Sequence, residues 1–141
     1  KNGITTKKIE GDKKTPAGFF KIEHLYYRKD RINFPKTDLK CIKISEKMGW
    51  CNDKNYPRKY NQLINVSDKI GHEKLFREDH KYDLLIPIKF NFNKRIPGKG
   101  SCIFIHLTKD YKPTAGCVAL KKKDFLIMLK LINKNTQIKI N

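Results

Sequence analysis

Apolar and polar positions alternate at several places along the chain, and each alternation predicts a strand. In residues 15–27, "TPAGFFKIEHLYY", a Thr-Pro-Ala-Gly turn precedes Phe20 and Ile22, so a turn followed by a strand is expected. "LKCIKIS", residues 39–45, alternates in the same way around Cys41. "KYDLLIPIKFNFN", residues 81–93, reads as a strand whose Pro87 predicts an edge position or a bulge. After the turn cluster "NKRIPGKGS", the run "CIFIHL" at 102–107 is of the buried-strand type. The period then changes. In "KKKDFLIMLKLINKN", Phe125, Leu126, Leu129 and Ile132 recur at helical spacing, with Asp124 near the start and Lys134 near the end to suit the helix dipole. "TQIKI" closes the chain as a strand, and "MGWCNDKNYPRKYNQLI", residues 48–64, reads as a long ordered loop. The expected fold class is mainly β, or α+β, with one main helix.

Composition narrows this picture. The 141 residues, with 38% hydrophobic positions and no internal repeat, fit a single domain spanning 1–141. The longest apolar run, "FLIMLKLI", is interrupted by Lys130 and is too short to cross a bilayer. The chain starts at Lys1, and an N-terminal strand or signal segment is expected to have preceded it. Thirty-two Lys and Arg against fourteen Asp and Glu give a formal charge of +18, which favours polyanionic partners. The lysines are scattered rather than blocked, which suits a solvated surface, and neither RNP strands nor a helix-turn-helix is recognisable. Cys41, Cys51, Cys102 and Cys117 form no CxxC pair, and His72 and His80 lack the spacing of a helical metal clip, so no metal is expected. Four cysteines would permit two disulfides without establishing one. Cys41 and Cys102 read as small core residues.

The candidate chemistry lies in "IFIHLTKDYKPTAGCVAL", residues 103–120. His106 ends the apolar run, and Cys117 follows Gly116. Pro113 and Gly116 would let the connector fold back, bringing imidazole and thiol together. A thiol attacks acyl carbons only as thiolate, and a nearby imidazole can take its proton. Backbone N–H groups at Gly116 and Cys117 could then form an oxyanion hole. On spacing alone this is a weak pattern, and two buried structural residues are the favoured reading.

The local strings resolve more. "IFIHLT…PTAGCVAL" resembles the catalytic segment of the L,D-transpeptidase family, the YkuD-type cell-wall enzymes. His106, Thr114, Gly116 and Cys117 match the family's His…Ser/Thr-x-Gly-Cys signature, and Val118 follows as the apolar position. "GDKKTPAGFFKI" is similar to its Gly-x-x-x-Thr-Pro-x-Gly-x-Phe opening strand through Gly11, Thr15, Pro16, Gly18 and Phe20. "MGWCNDKNYPRKYN" and "GHEKLFREDHKYDLLI" resemble the middle of one branch. Ala115 and Ala119 depart from the many members with polar groups there, and the His-to-Cys interval is short.

The resemblance implies a YkuD-like β-sandwich with its main helix after the cysteine, and a cysteine-dependent acyltransferase on peptidoglycan stem peptides. It implies Cys117 as nucleophile, His106 as base, Gly116 and Cys117 as oxyanion donors, and Thr114 as an orienting hydroxyl or turn cap. Trp50, Arg58, Arg77, His72 and Ala115 are expected at the substrate-binding surface, with Glu73 beside His72; Lys99 is a further cationic candidate. Trp50 reads equally as a packing anchor. The partners implied are a tetrapeptide donor and an amine acceptor, with no cofactor, no metal and no nucleic acid, acting as a monomer in the periplasm or cell envelope. In that oxidising compartment a Cys41–Cys51 disulfide is conceivable, while Cys117 must stay free. Two alternatives stand beside this one: an L,D-carboxypeptidase or endopeptidase using water at the same site, and a non-catalytic basic module binding a polyanion.

Overall fold

A computed structural model describes residues 2–66 and 69–141. Its centre is a five-stranded sheet in the order β11-β10-β9-β4-β5. These strands are β4 (Leu25–Tyr27), β5 (Cys41–Lys43), β9 (Leu84–Pro87), β10 (Phe104–Thr108) and β11 (Val118–Lys121). β9 runs antiparallel to both β4 and β10, whereas β4–β5 and β10–β11 are parallel pairs. Residues 109–117 make the crossover from β10 to β11 without a helix, so an irregular segment lies over the end of the sheet.

Period-two alternation divides the central strands between two cores. Leu25, Tyr27, Leu84, Ile86, Ile105 and Leu107 face one side, where Phe125, Leu129 and Ile140 cover them. That cover consists of α1 (Lys122–Leu131) and the pair β3 (Gly18–Lys21) with β12 (Gln137–Ile140). Tyr26, Leu85 and Phe104 face the other side and pack on Ile44, Trp50, Leu75 and Tyr82. There the cover is a smaller antiparallel sheet, with β6 (Met48–Cys51) between β7 (Leu63–Asn65) and β8 (His72–Lys74). The layers therefore form the expected sandwich of mainly β structure, with its helix after Cys117. A short parallel pair, β1 (Ile4–Thr5) and β2 (Thr15–Pro16), carries the N-terminal segment across one end.

Several expectations are corrected. Residues 48–64 are not one loop, because β6 and β7 bracket it and only 52–62 is irregular. Trp50 draws that stretch into the second core, packing edge-on against Tyr26 and Phe104 at 6.1 and 5.5 Å. β9 is central rather than an edge. Pro87 is tolerated because it is the strand's last residue and its carbonyl still accepts from the Glu23 N–H. The segment 15–27 breaks into β2, β3 and β4 rather than one strand. The helix stops at Leu131, so the cation in its last turn is Lys130 and not Lys134. Cys102 is outside β10, with φ +54. All four cysteines are free thiols, Cys41 and Cys51 included. Among the described residues no helix is long and apolar enough to cross a membrane.

Candidate active site

The parallel register of β10 with β11 pairs His106 with Ala119 and Ile105 with Val118. One residue before β11, Cys117 therefore lies beside Phe104, on the face of the sheet that also carries His106. With strands ~4.8 Å apart and ~3.3 Å of rise per residue, this places the two residues as diagonal neighbours on adjacent strands. Both line a cleft of about 950 Å³ whose walls include Glu73, Arg77, Tyr82, Cys102 and the crossover residues Pro113 to Ala115.

The turn before Cys117 is tied by Thr114. Its hydroxyl donates to the Cys117 carbonyl at 2.7 Å and accepts from the Gly116 N–H at 3.3 Å. Gly116 holds φ +125, a conformation open to glycine alone, and an added Cβ would lie 2.5 Å from the Lys14 carbonyl oxygen. The N-terminal segment thus abuts the turn before Cys117 through backbone. One expectation narrows here. The Gly116 N–H is already engaged by Thr114, whereas the Cys117 N–H makes no hydrogen bond to a described residue.

His106 is 6% exposed. Its Nδ1 lies 2.9 Å from the Leu107 carbonyl oxygen, which can only accept, so Nδ1 carries the proton and Nε2 is left as the base. Burial holds the imidazole below its ordinary range, more than the Leu107 carbonyl raises it, so the ring is neutral at pH 7. Burial also pushes the Cys117 thiol up to about 11; the Phe104 N–H opposes this and the Glu73 charge adds to it. In this resting arrangement the thiol donates to the Cys102 carbonyl at 3.2 Å. The pair is accordingly neutral thiol and neutral imidazole, suited to proton transfer during attack rather than to a standing ion pair.

Cys102 is held in place from below. Its N–H donates to Asn61 Oδ1 at 3.2 Å, and its thiol to the Trp50 carbonyl at 3.7 Å. Asn61 is 3% exposed, has φ +52, and connects four partners. Oδ1 also accepts from Trp50 Nε1 at 3.0 Å, and Nδ2 donates to the carbonyls of Phe90 and Asn91, each at 2.9 Å. Neither Cys102 nor Asn61 was singled out from the sequence as part of the site. An Asn in a Tyr-Asn-Gln string signals only tolerance of a left-handed turn.

The expected substrate-facing residues divide. Arg77 and Ala115 line the cleft. Trp50 does not: at 2% exposure it is the packing anchor beneath it. Arg58 is exposed on the 52–62 loop and lies outside the cleft, as does Lys99, which borders a separate hollow beside Lys8 and Phe90. His72 also falls outside, with Nδ1 2.7 Å from the Ile70 carbonyl oxygen and its ring against Gly49. The reason is strand alternation: consecutive residues of β8 face opposite ways, so Glu73 reaches the cleft and His72 cannot.

Tyr82, which the sequence did not mark, joins the two halves of the site. Its ring meets His106 at 5.5 Å and Phe104 at 5.8 Å, and its hydroxyl donates to Glu73 Oε1 at 2.9 Å. Arg77 lies 5.0 Å over the same ring and grips Asp79 through Nε at 2.9 Å and Nη2 at 2.7 Å. That pairing holds the Asp79 carboxyl down to about 2. Glu10 closes the far wall, accepting from Ser101 at 2.7 Å and from Tyr60. Among the described residues, no three His, Cys, Asp or Glu side chains converge as metal ligands.

Comparison with known proteins bears on the whole chain. No curated protein and no solved structure matches it. The L,D-transpeptidase catalytic domain family, YkuD, matches residues 2–140. With its strand-borne histidine and turn-borne cysteine on one sheet face, this chain belongs to the YkuD family of L,D-transpeptidase catalytic domains.

Proposed function

We propose that the chain is a peptidoglycan L,D-transpeptidase working through a thioester on Cys117. The observation that carries this is the placement of His106 and Cys117 on one face at the cleft, with a neutral imidazole and an unengaged Cys117 N–H. His106 Nε2 takes the thiol proton as sulfur attacks the acyl carbon of the donor stem's third residue. The Cys117 N–H receives the oxyanion, a contact of a kind worth about 3 kcal/mol of barrier. The C–N bond then breaks, and His106 returns the proton to the departing D-alanine. An amine from a second stem resolves the thioester to an amide and regenerates the thiol.

Stem peptides carry carboxylates. Lys81, Lys109 and Lys122 line the cleft without an ion pair to a described residue and supply the attraction. Arg77 is committed to Asp79 and Glu73 and serves as scaffold. Thr114 acts as the staple of the nucleophile's turn. Such an enzyme works outside the cytoplasmic membrane, where its substrate is.

The test is intact-mass analysis of the protein mixed with a tetrapeptide-stem muropeptide, alongside Cys117→Ala. A thioester on wild type alone, with D-alanine and a crosslinked dimer, is the expected result. D-alanine without dimer would instead establish the carboxypeptidase outcome. Absence of both thioester and D-alanine would refute acyl transfer on this substrate.

A further inference from the structure

In a chain of formal charge +18, the carboxylate whose field reaches both Cys102 and Cys117 is a conspicuous placement. That carboxylate is Glu73, on β8, with its side chain 32% exposed at the cleft wall. Its negative charge disfavours the thiolate that the proposed chemistry requires, so its position asks for a compensating role.

The hydrogen bonds narrow that role. Glu73 Oε1 is doubly engaged, accepting from the Tyr82 hydroxyl at 2.9 Å and from Arg77 Nη1 at 3.2 Å. Oε2 accepts no hydrogen bond from a described residue. Arg77 neutralises Glu73 only in part, because its shorter contacts, 2.9 and 2.7 Å, go to Asp79. Tyr82 fixes the carboxylate rigidly, since its ring is wedged against Phe104 and His106. The result is an anchored, partly exposed carboxylate lining a cleft with a cationic rim, with hydrogen bonds from described residues at Oε1 alone. A carboxylate so held selects a cation, and the cation in this chemistry is a primary ammonium.

We propose that Glu73 is the acceptor-amine subsite, its Oε2 receiving the primary ammonium of the incoming stem and holding it beside the acylated Cys117. The assignment rests on the transpeptidase reading above. After D-alanine departs, His106 is neutral again and accepts one proton from the bound ammonium. The free amine attacks the thioester carbonyl, the C–S bond breaks, and the nitrogen's second proton passes to the leaving sulfur. Thioester and ammonium become amide and thiol, and the proton held by His106 goes to solvent. A docked ammonium also cancels the field of Glu73 at the site.

The experiment separates the two half-reactions in wild type, Glu73→Gln and Glu73→Asp. Thioester formation with a tetrapeptide-stem muropeptide is followed by intact mass. Its decay is followed with and without a second muropeptide bearing a free primary amine. Gln keeps an acceptor for Tyr82 while losing the charge, and thermal unfolding checks that each variant is folded. The expected result for Glu73→Gln is a tenfold or greater loss of aminolysis relative to thioester formation, with a raised KM for the amine and accumulating thioester. Glu73→Asp restores part of that loss. Equal slowing of both half-reactions, or dimer formation by Glu73→Gln at the wild-type rate, overturns the assignment. A wild type that forms no thioester instead removes the transpeptidase reading on which it rests.

Discussion

Replacing Gly116 by Ala tests whether the N-terminal segment holds the turn that carries Cys117. The perturbation has two separable parts. At φ +125 an L side chain is strained whatever the space, costing roughly 1–3 kcal/mol. The new Cβ would also lie 2.5 Å from the Lys14 carbonyl oxygen and 3.3 Å from its carbon, a backbone obstacle that no rotamer can clear. Relieving such an overlap costs about a further 1–3 kcal/mol. The sum, about 2–6 kcal/mol, corresponds to a fall in Tm of roughly 6–25 °C for a chain of this size. Gly98→Ala is the internal control, because Gly98 has φ +82 and nothing within 4 Å of its added Cβ. It carries the backbone strain without the overlap and is expected to lose roughly 1–2 kcal/mol. Relief must move either Lys14 or the turn that carries the Cys117 N–H. A displacement near 1 Å at a reacting group costs on the order of a hundredfold in rate, so thioester formation is expected to fall by about that factor. Thermal unfolding by circular dichroism and thioester formation by intact mass are the two assays. If Gly116→Ala melts with Gly98→Ala and acylates at the wild-type rate, the claimed backbone contact does not constrain the site.

Two further outcomes follow from the site's electrostatics and hydrogen bonds. The Cys117 thiol, raised to about 11 by burial, is an acid disfavoured in its charged form, so it stays neutral through pH 7 and ionises only as pH approaches that value. Iodoacetamide labelling at Cys117, read by peptide mass, should therefore keep accelerating from pH 8 to pH 10.5; a plateau by pH 8 would mean a standing thiolate–imidazolium pair. Asn61→Ala removes the acceptor shared by the buried Trp50 Nε1 and the part-buried Cys102 N–H, two donors each costing about 1–3 kcal/mol when unpaired. Urea unfolding should register a loss of about 2–6 kcal/mol, and a loss below 1 kcal/mol would show that other groups satisfy those donors.

Local pattern carries local structure, and that part was legible. Alternation in "CIFIHL" and helical spacing in "FLIMLKLI" correspond to β10 and α1, because burial of one face sets each period directly. The strings around Thr114, Gly116 and Cys117 marked the turn, since a tight turn needs a glycine and a hydroxyl at fixed places. What sequence left undecided depends on which segments meet. Pro87 reads as an edge signal, yet a strand's last residue can close a central ladder, and only the sheet order decides that. Trp50 reads equally as cleft wall or core, and its neighbours Tyr26 and Phe104, 24 and 54 residues away in sequence, make it core. His72 and Glu73 are adjacent in sequence, but β8 turns one toward Gly49 and the Ile70 carbonyl and brings the other to Tyr82 and Arg77. The sequence by itself determined the family, the strand through His106, the helix after Cys117 and the candidate pair His106 and Cys117, because each is written in residues a few positions apart. The tertiary structure alone decided the thiol's neutral resting state, the Asn61 scaffold and the charge at Glu73, because burial and long-range hydrogen bonds exist only once distant segments pack.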